Sequence, residues 1–335
     1  MLKIISPKVS VAVLGSGSWA TALVKILTDS KVHVNWYVRD PEQAQKTSIT
    51  SKNPNYLSEV RFKARRISVS SDLNEVVAKS KWLLLAIPSA YLESELKKIT
   101  QPIDDKIIVS GVKGFIPESQ LILGEHLHQH YDLPWEQFIV IGGPSHAEEI
   151  ALERLSYLTL ASRNKENASQ LRQFMLTSYL QIKVSNDVIG IEYGATLKNI
   201  YALAAGIAHG LGYGDNFQSV LISNSTREMN RFIKKVSNSK RNINQSAYLG
   251  DLLVTAYSLF SRNRRFGNMI GRGYTVKGAK IEMNMVAEGY YACESAYRVS
   301  KSLGVNTPII DAVYEILYAK KSPKKRFLKL AKKLS

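Results

Sequence analysis

Cysteine is nearly absent: one residue, Cys293, occurs in the 335-residue chain. A lone thiol excludes an internal disulfide and provides no cysteine set for zinc, so it fits a reducing compartment and reads as packing. Long apolar runs are missing too. No stretch reaches the roughly 18 to 20 residues that cross a bilayer, and the opening MLKIISPKVSVAVLG carries no signal-peptide cleavage pattern. These absences predict a cytoplasmic protein without integral membrane association. Proline is sparse, at 10 residues, and neither a low-complexity block nor a solenoid-like repeat interrupts the chain, which is expected to fold throughout. Its length suits two domains of about 100 to 200 residues better than one core.

Acidic residues are also in short supply. Against 45 lysines and arginines stand 28 aspartates and glutamates, a formal charge of +17. Such an excess suits nucleic acid, an anionic membrane or a phosphorylated small molecule, and the placement of the charge has to choose among them. Much of it sits in YAKKSPKKRFLKLAKKLS at the end, where Phe327, Leu330, Ala331 and Leu334 fall at helical spacing with lysines between them. This predicts an amphipathic terminal helix that docks its apolar stripe on the body, in preference to a membrane-surface anchor. A second basic segment, SRNRRFGNMIGRGY from Ser261 to Tyr274, lacks the interleaved aromatics that stack bases, which favours a phosphate cradle over a nucleic-acid hook. Its Gly267, Gly271 and Gly273 mark a mobile or closely packed stretch.

What the first half does have is alternation. VSVAVLG, VHVNWYV, RISVS, KWLLLAIP, KIIVSGV and FIVIGG each precede a helix-like segment, the signature of a parallel sheet covered on both faces. LSYLTLAS and LQIKVS extend that sheet. Beyond Ser185 the strand patterns stop, and DVIGIEYGATLKNIYALAAGIAHGLG opens a series of long helical patterns. The fold class is therefore α/β: an N-terminal Rossmann-type doubly wound sheet over residues 1–185, followed by an all-α C-terminal domain over residues 186–335.

VAVLGSGSWATAL contains Gly15, Gly17 and Ala20 as G-x-G-x-x-A, placed after an apolar strand and opening a helix. Gly15 permits the tight turn, Gly17 the close approach of a pyrophosphate, and small Ala20 close helix–strand packing, while the helix N-terminus faces the anion. The reading is a dinucleotide site. The second strand ends at YVRD, where an acid would accept from a ribose hydroxyl and an arginine would pair with a 2′-phosphate. Arg39 precedes Asp40, which leans toward NADP(H) and leaves NAD(H) open, since Arg39 can equally stack on adenine.

KIIVSGV runs into Lys113, and IVIGGPSHAEEI into Ser145. Both residues are expected at carboxyl ends of sheet strands, where open α/β sheets bind ligands, although either segment also suits a plain turn. His146 can act as acid or base, but a lone turn histidine is more often structural. Lys198 lies in a helix that is apolar almost all round, and lysine is rarely buried without a partner. It is a candidate for proton transfer at a carbonyl, against the alternative of a lysine snorkelling at the helix edge. Asp251 in YLGDLLVTAYS can orient such a lysine, and Ser261, Arg262 and Asn263 supply donors suited to a phosphate. His126, His128 and His130 in HLHQH lack a companion acid or cysteine cluster, so no metal is expected.

Together and in this order, GSGSWATAL, VKGF, GGPSHAEEI, GIEYGATLKNIYALAAGIAHGLGYGDN, LGDLLVT, SRNRRFGNMIGRG and AEGYY resemble the bacterial NAD(P)-dependent glycerol-3-phosphate dehydrogenases over most of the chain. The resemblance implies an oxidoreductase acting on a CH–OH donor, interconverting dihydroxyacetone phosphate and sn-glycerol 3-phosphate for phospholipid synthesis. Its partner is then a small-molecule substrate and not nucleic acid, and a homodimer is compatible with it. By the same resemblance the cofactor positions fall on Ser18, Trp19, Arg39, Lys113, Ala147, Arg262, Val286 and Glu288, beside Gly15 and Gly17 of the turn. The substrate positions fall on Lys113, Gly143, Ser145, Lys198, Asp251, Ser261, Arg262 and Asn263. Lys198 becomes the proton-transfer residue, Asp251 its holder, and Asn263 a contact for substrate hydroxyls. The chain departs from the pattern at Ala20 (usually glycine), Val112 (threonine), His146 (an aromatic), His209 (an acid) and in SAYLGDL, where GLAGLGDL is usual. Two other readings stay open: another two-domain dehydrogenase of the 3-hydroxyacid or 6-phosphogluconate type, and a basic nucleic-acid- or membrane-surface-binding protein on a Rossmann scaffold.

Overall fold

The computed structural model describes residues 10–283 and 287–335. Aliphatic and β-branched runs form β1 Val11–Leu14, β2 Val34–Tyr37, β3 Ile67–Ser70, β4 Trp82–Leu85 and β5 Ile107–Ser110. A short hairpin follows, β6 Phe115–Ile116 and β7 Leu121–Ile122, then β8 Phe138–Gly142, β9 Ser156–Ser162 and β10 Leu180–Ser185. The helices among them are α1 Ser18–Asp29, α2 Pro41–Thr50, α3 Leu73–Ala78, α4 Ser89–Leu96, α5 Leu123–His130, α6 Ala147–Ala151 and α7 Lys165–Phe174. Beyond them come α8 Val188–Gly210, α9 Asp215–Val236, α10 Asp251–Tyr257 and α11 Arg262–Gly271. The last four are α12 Val276–Glu282, α13 Glu288–Ser302, α14 Pro308–Leu317 and α15 Pro323–Ala331. Asp40, Asp72, Asn164 and Asp187 start α2, α3, α7 and α8 by accepting from free backbone N–H groups of the first turn.

The main sheet has the order β10-β9-β8-β5-β4-β1-β2-β3. β1 lies between β2 and β4, so the chain reverses its direction of travel there and leaves a crevice at the carboxyl ends of β1 and β4. The expectation of a parallel sheet needs one correction. β9 runs antiparallel to β8, and β10 is parallel to β9. The physical reason is the connection: α6, with five residues, rises about 7.5 Å. That is too short to carry the chain back along a five-residue strand of about 17 Å, as a parallel crossover requires.

One face of the sheet packs Val11, Val13, Trp36, Trp82 and Leu84 under α1 and α7. The other face, with Leu14, Leu85, Phe138 and Val140, shares a single apolar cluster with Ile191, Leu197 and Tyr201 of α8. Helical and sheet portions thus meet through packed side chains, which fixes the walls of the crevice between them. α8 is buried along nearly its whole length and crosses α11 at close range: a Cβ on Gly206 or Gly210 would strike the α11 backbone, and one on Gly267 or Gly271 the α8 backbone. Gly267 and Gly271 are therefore closely packed, whereas Gly273 serves a turn at φ +99°. At the end of the chain α15 docks as expected, burying Phe327 against Tyr213 and Phe217, with Leu330 also buried. Among the described residues no helix is long and apolar enough to cross a membrane. His126 on α5 bonds Ser119 and Glu93, and His128 donates to the Leu133 carbonyl, so two of the three histidines serve local packing.

Candidate active site

Gly15 leaves β1 at φ +124°, where a side chain would be strained, and a Cβ there would meet the Ala86 carbonyl oxygen at 2.6 Å. The turn is braced by groups distant in the chain. Trp36 Nε1 donates to the Gly15 carbonyl at 2.7 Å, and Asn53 Nδ2 donates to the Ser16 carbonyl and to Thr21 Oγ1 at 2.9 and 2.8 Å. Asn53 was not legible as a site residue, since nothing in its own segment marks it. Gly17 precedes α1 without any side-chain cap, no acid occupies the first turn, and a Cβ on Gly17 would meet nothing within 4 Å. The result is an open helix N-terminus aimed into the crevice, which suits an anion. Trp19 Nε1 is buried there without a partner among the described residues.

The crevice is lined by Gly17, Ser18 and Trp19 and, past the ends of β5 and β8, by Lys113, Ser145, His146 and Ala147. The helical wall contributes Lys198, Asn199, Asp251, Thr255, Ser261, Arg262, Asn263 and Glu288. Gly143, at φ +106°, lies just behind the wall, and its carbonyl accepts from the Ser145 hydroxyl at 3.0 Å. Arg39 is not among the lining residues. Its exposed guanidinium lies 3.7 Å from Glu95, while the Asp40 carboxylate is committed to capping α2. Val286 lies outside the described residues. Arg264 and Arg265, from the same basic segment as Arg262, do not line the crevice.

Lys198 Nζ donates to Asp251 Oδ1, both groups are almost fully buried, and Asp251 Oδ2 has no partner among the described residues. A π-helical turn over Ser246–Gly250 delivers Asp251 to α8, with the Tyr248 ring against the bare Cα of Gly194. Lys113 Nζ sits 4.8 Å from the centre of the Trp19 ring. Desolvation, reinforced by the nearby Lys198 and Arg262 cations, pulls the Lys113 ammonium down to about 7. His146 is pushed down to about 4 by desolvation and by Lys198 and Lys113, so it is neutral at physiological pH. Burial raises the Glu288 carboxyl above the ordinary range, against the opposing Ser89 hydroxyl, which donates to it at 2.8 Å.

A chain of amides ties these parts together. Asn199 Nδ2 donates to the Lys113 carbonyl at 2.9 Å, Asn263 Nδ2 to Asn199 Oδ1 at 3.0 Å, and the Gly289 N–H to Asn263 Oδ1 at 2.9 Å. Asn263 thus spends its carbonyl and one N–H on internal partners. Ser261 Oγ caps α11 by accepting from the Arg264 N–H, leaving Arg262 as the first residue of a helix that starts at the crevice. Asn199 and Thr255 went unremarked in the sequence, yet each lies one residue or one turn from a residue already marked, Lys198 and Asp251.

Cations gathered round a buried lysine–aspartate pair, in the crevice that the open glycine turn also enters, suit an anionic ligand beside a dinucleotide. The residues present fit such a cofactor: α1 offers an uncapped end, Gly17 clear space and Trp19 an unused donor. Two family models match the chain, the N-terminus of NAD-dependent glycerol-3-phosphate dehydrogenase over residues 10–168 and its C-terminus over residues 187–327. The chain belongs to that family. The motifs had implied as much. The glycerol-3-phosphate dehydrogenase (NAD(P)+) of Clostridium botulinum (strain Eklund 17B / Type B) is 34% identical over 315 residues, 94% of each chain. That of Chlorobium limicola (strain DSM 245 / NBRC 103803 / 6330) is 34% identical over 324 residues, 96% of each. Among solved structures, glycerol-3-phosphate dehydrogenase from Coxiella burnetii superposes with a TM-score of 0.90 at 27% identity, covering 97% of this chain and 99% of that one.

Proposed function

We infer that this glycerol-3-phosphate dehydrogenase family member interconverts dihydroxyacetone phosphate and sn-glycerol 3-phosphate with a nicotinamide dinucleotide, supplying the glycerol backbone of phospholipids. The observation that carries the reading is the buried Lys198–Asp251 pair, set in the crevice that the glycine turn also enters. Bound reduced nicotinamide supplies the hydride to C2 of the ketone. As charge develops on the C2 oxygen, the Lys198 ammonium gives it a proton, and in oxidation the neutral lysine takes that proton back. Asp251 holds Lys198 in place by accepting from its Nζ. Arg262, with the Ser261 hydroxyl and the start of α11, grips the phosphate, and the binding energy of this remote group orients the carbonyl. Lys113 adds positive charge where phosphate and cofactor meet. Asn263 holds the wall through Asn199, with one N–H left for a substrate hydroxyl. Gly15, Gly17, Ser18, Trp19 and Ala147 would seat the dinucleotide, together with Glu288.

NADP(H) is the preferred cofactor in this reading, because Arg39 stands exposed past β2 while Asp40 is occupied by its helix cap. Initial rates of dihydroxyacetone phosphate reduction with NADPH and NADH side by side test both statements. No turnover with either overturns the function, and equal efficiency that Arg39→Ala leaves equal overturns the role of Arg39.

A further inference from the structure

The lysines of the last helix answer to nothing in the crevice. α15 turns Phe327 and Leu330 inward, and its Arg326 pairs with Glu315. Lys324, Lys325, Lys329, Lys332 and Lys333 are all exposed, and among the described residues none of them pairs with a carboxylate. At 3.6 residues per turn, Lys324, Leu328, Lys332, Lys325 and Lys329 fall within an arc of about 140°, opposite Phe327 and Leu330. Leu328, near the middle of the array, is 53% exposed. The end of the chain is held as well, since the Ser335 carbonyl accepts from Asn224 and Arg227 at 3.0 and 3.2 Å. The charged face is thus carried on a docked helix, not on a loose tail.

We propose that this face of α15 docks the protein on anionic phospholipid bilayers. Ammonium groups spread along one side of a short helix match a planar, negatively charged interface, where each gains from the surface potential, and Leu328 enters the headgroup layer. Nucleic acid is matched less well. Lysine lacks the forked donor geometry of arginine, and the face has no exposed aromatic to stack on a base. The proposal rests on charge and shape, independently of the chemistry in the crevice.

The test is co-sedimentation of the full chain with vesicles of phosphatidylcholine, with and without phosphatidylglycerol. The protein should pellet with the anionic vesicles at low salt, stay in solution with the neutral ones, and be released by added salt. The combined variant Lys324→Glu, Lys325→Glu, Lys329→Glu should weaken partitioning by about 100-fold or more, since each lysine at such a surface contributes about fivefold. A control with the same change in net charge, Lys63→Glu, Lys165→Glu, Lys183→Glu, alters exposed lysines of the sheet domain and should retain most of the binding. Leu328→Ser should weaken binding without changing its salt dependence. Unchanged turnover of dihydroxyacetone phosphate in each variant shows that it is folded. Absence of binding to anionic vesicles, or equal loss in both triple variants, overturns the proposal. So does duplex DNA retaining the protein at a salt concentration that strips it from vesicles.

Discussion

Replacing Lys198 by methionine separates the chemistry of the buried pair from its contribution to stability. Methionine keeps most of the volume on α8 but removes the proton and the charge. A general acid typically contributes about 10²- to 10⁴-fold, so kcat for dihydroxyacetone phosphate reduction should fall by that order while cofactor affinity holds. The structure adds a second consequence. Asp251 is 1% exposed and its Oδ2 lacks a partner among the described residues, so removing Lys198 strands a buried carboxylate. Breaking a buried pair in this way costs about 3–5 kcal/mol. The double variant Lys198→Met, Asp251→Leu removes the stranded charge and should recover most of that stability, yet none of the rate. The assays are initial rates followed by nicotinamide absorbance, with chemical denaturation for stability. Near-normal kcat in Lys198→Met, or a double variant that regains turnover along with stability, refutes Lys198 as the proton donor.

Arg262→Ala should lower kcat/KM for dihydroxyacetone phosphate by roughly 10- to 100-fold, the worth of charge-assisted hydrogen bonds of about 1.5–3 kcal/mol. It should leave unphosphorylated dihydroxyacetone nearly unaffected; an unchanged preference between the two removes Arg262 from the phosphate site. For Lys113 the sign follows from its depressed value of about 7: the ammonium form is present below that pH and is lost above it. Affinity for the phosphorylated substrate should therefore decline above pH 7, by at most about tenfold per pH unit, and Lys113→Arg should flatten the KM profile. A wild-type KM without slope from pH 6.5 to 8.5 (about two units around that value) speaks against the assignment. Asn53→Ala removes two bonds beneath the glycine turn and should raise KM for the dinucleotide about 30-fold with kcat nearly retained, at roughly 1 kcal/mol per bond. Cofactor titration checks it, and unaltered affinity refutes the bracing role.

Chain order and local pattern determined much of this protein. β-Branched runs alternating with helical ones specify a sheet covered by helices, because side-chain periodicity is set within a few residues. Gly15 and Gly17 are legible because the turn they make is local, and Lys198 because a cation on a helix apolar almost all round needs a partner. Tertiary structure decided the rest. That partner is Asp251, 53 residues away, brought in by a π-helical turn that no periodicity announces. The antiparallel entry of β9 follows from the shortness of α6, and Asn53 enters the site only because its loop folds under the glycine turn. The depressed Lys113 ammonium owes its value to burial beside Lys198 and Arg262, which belong to segments far apart in the chain. Conformational preference acts along the backbone and can be read there; electrostatics acts through space, and its neighbours exist only once the chain has folded.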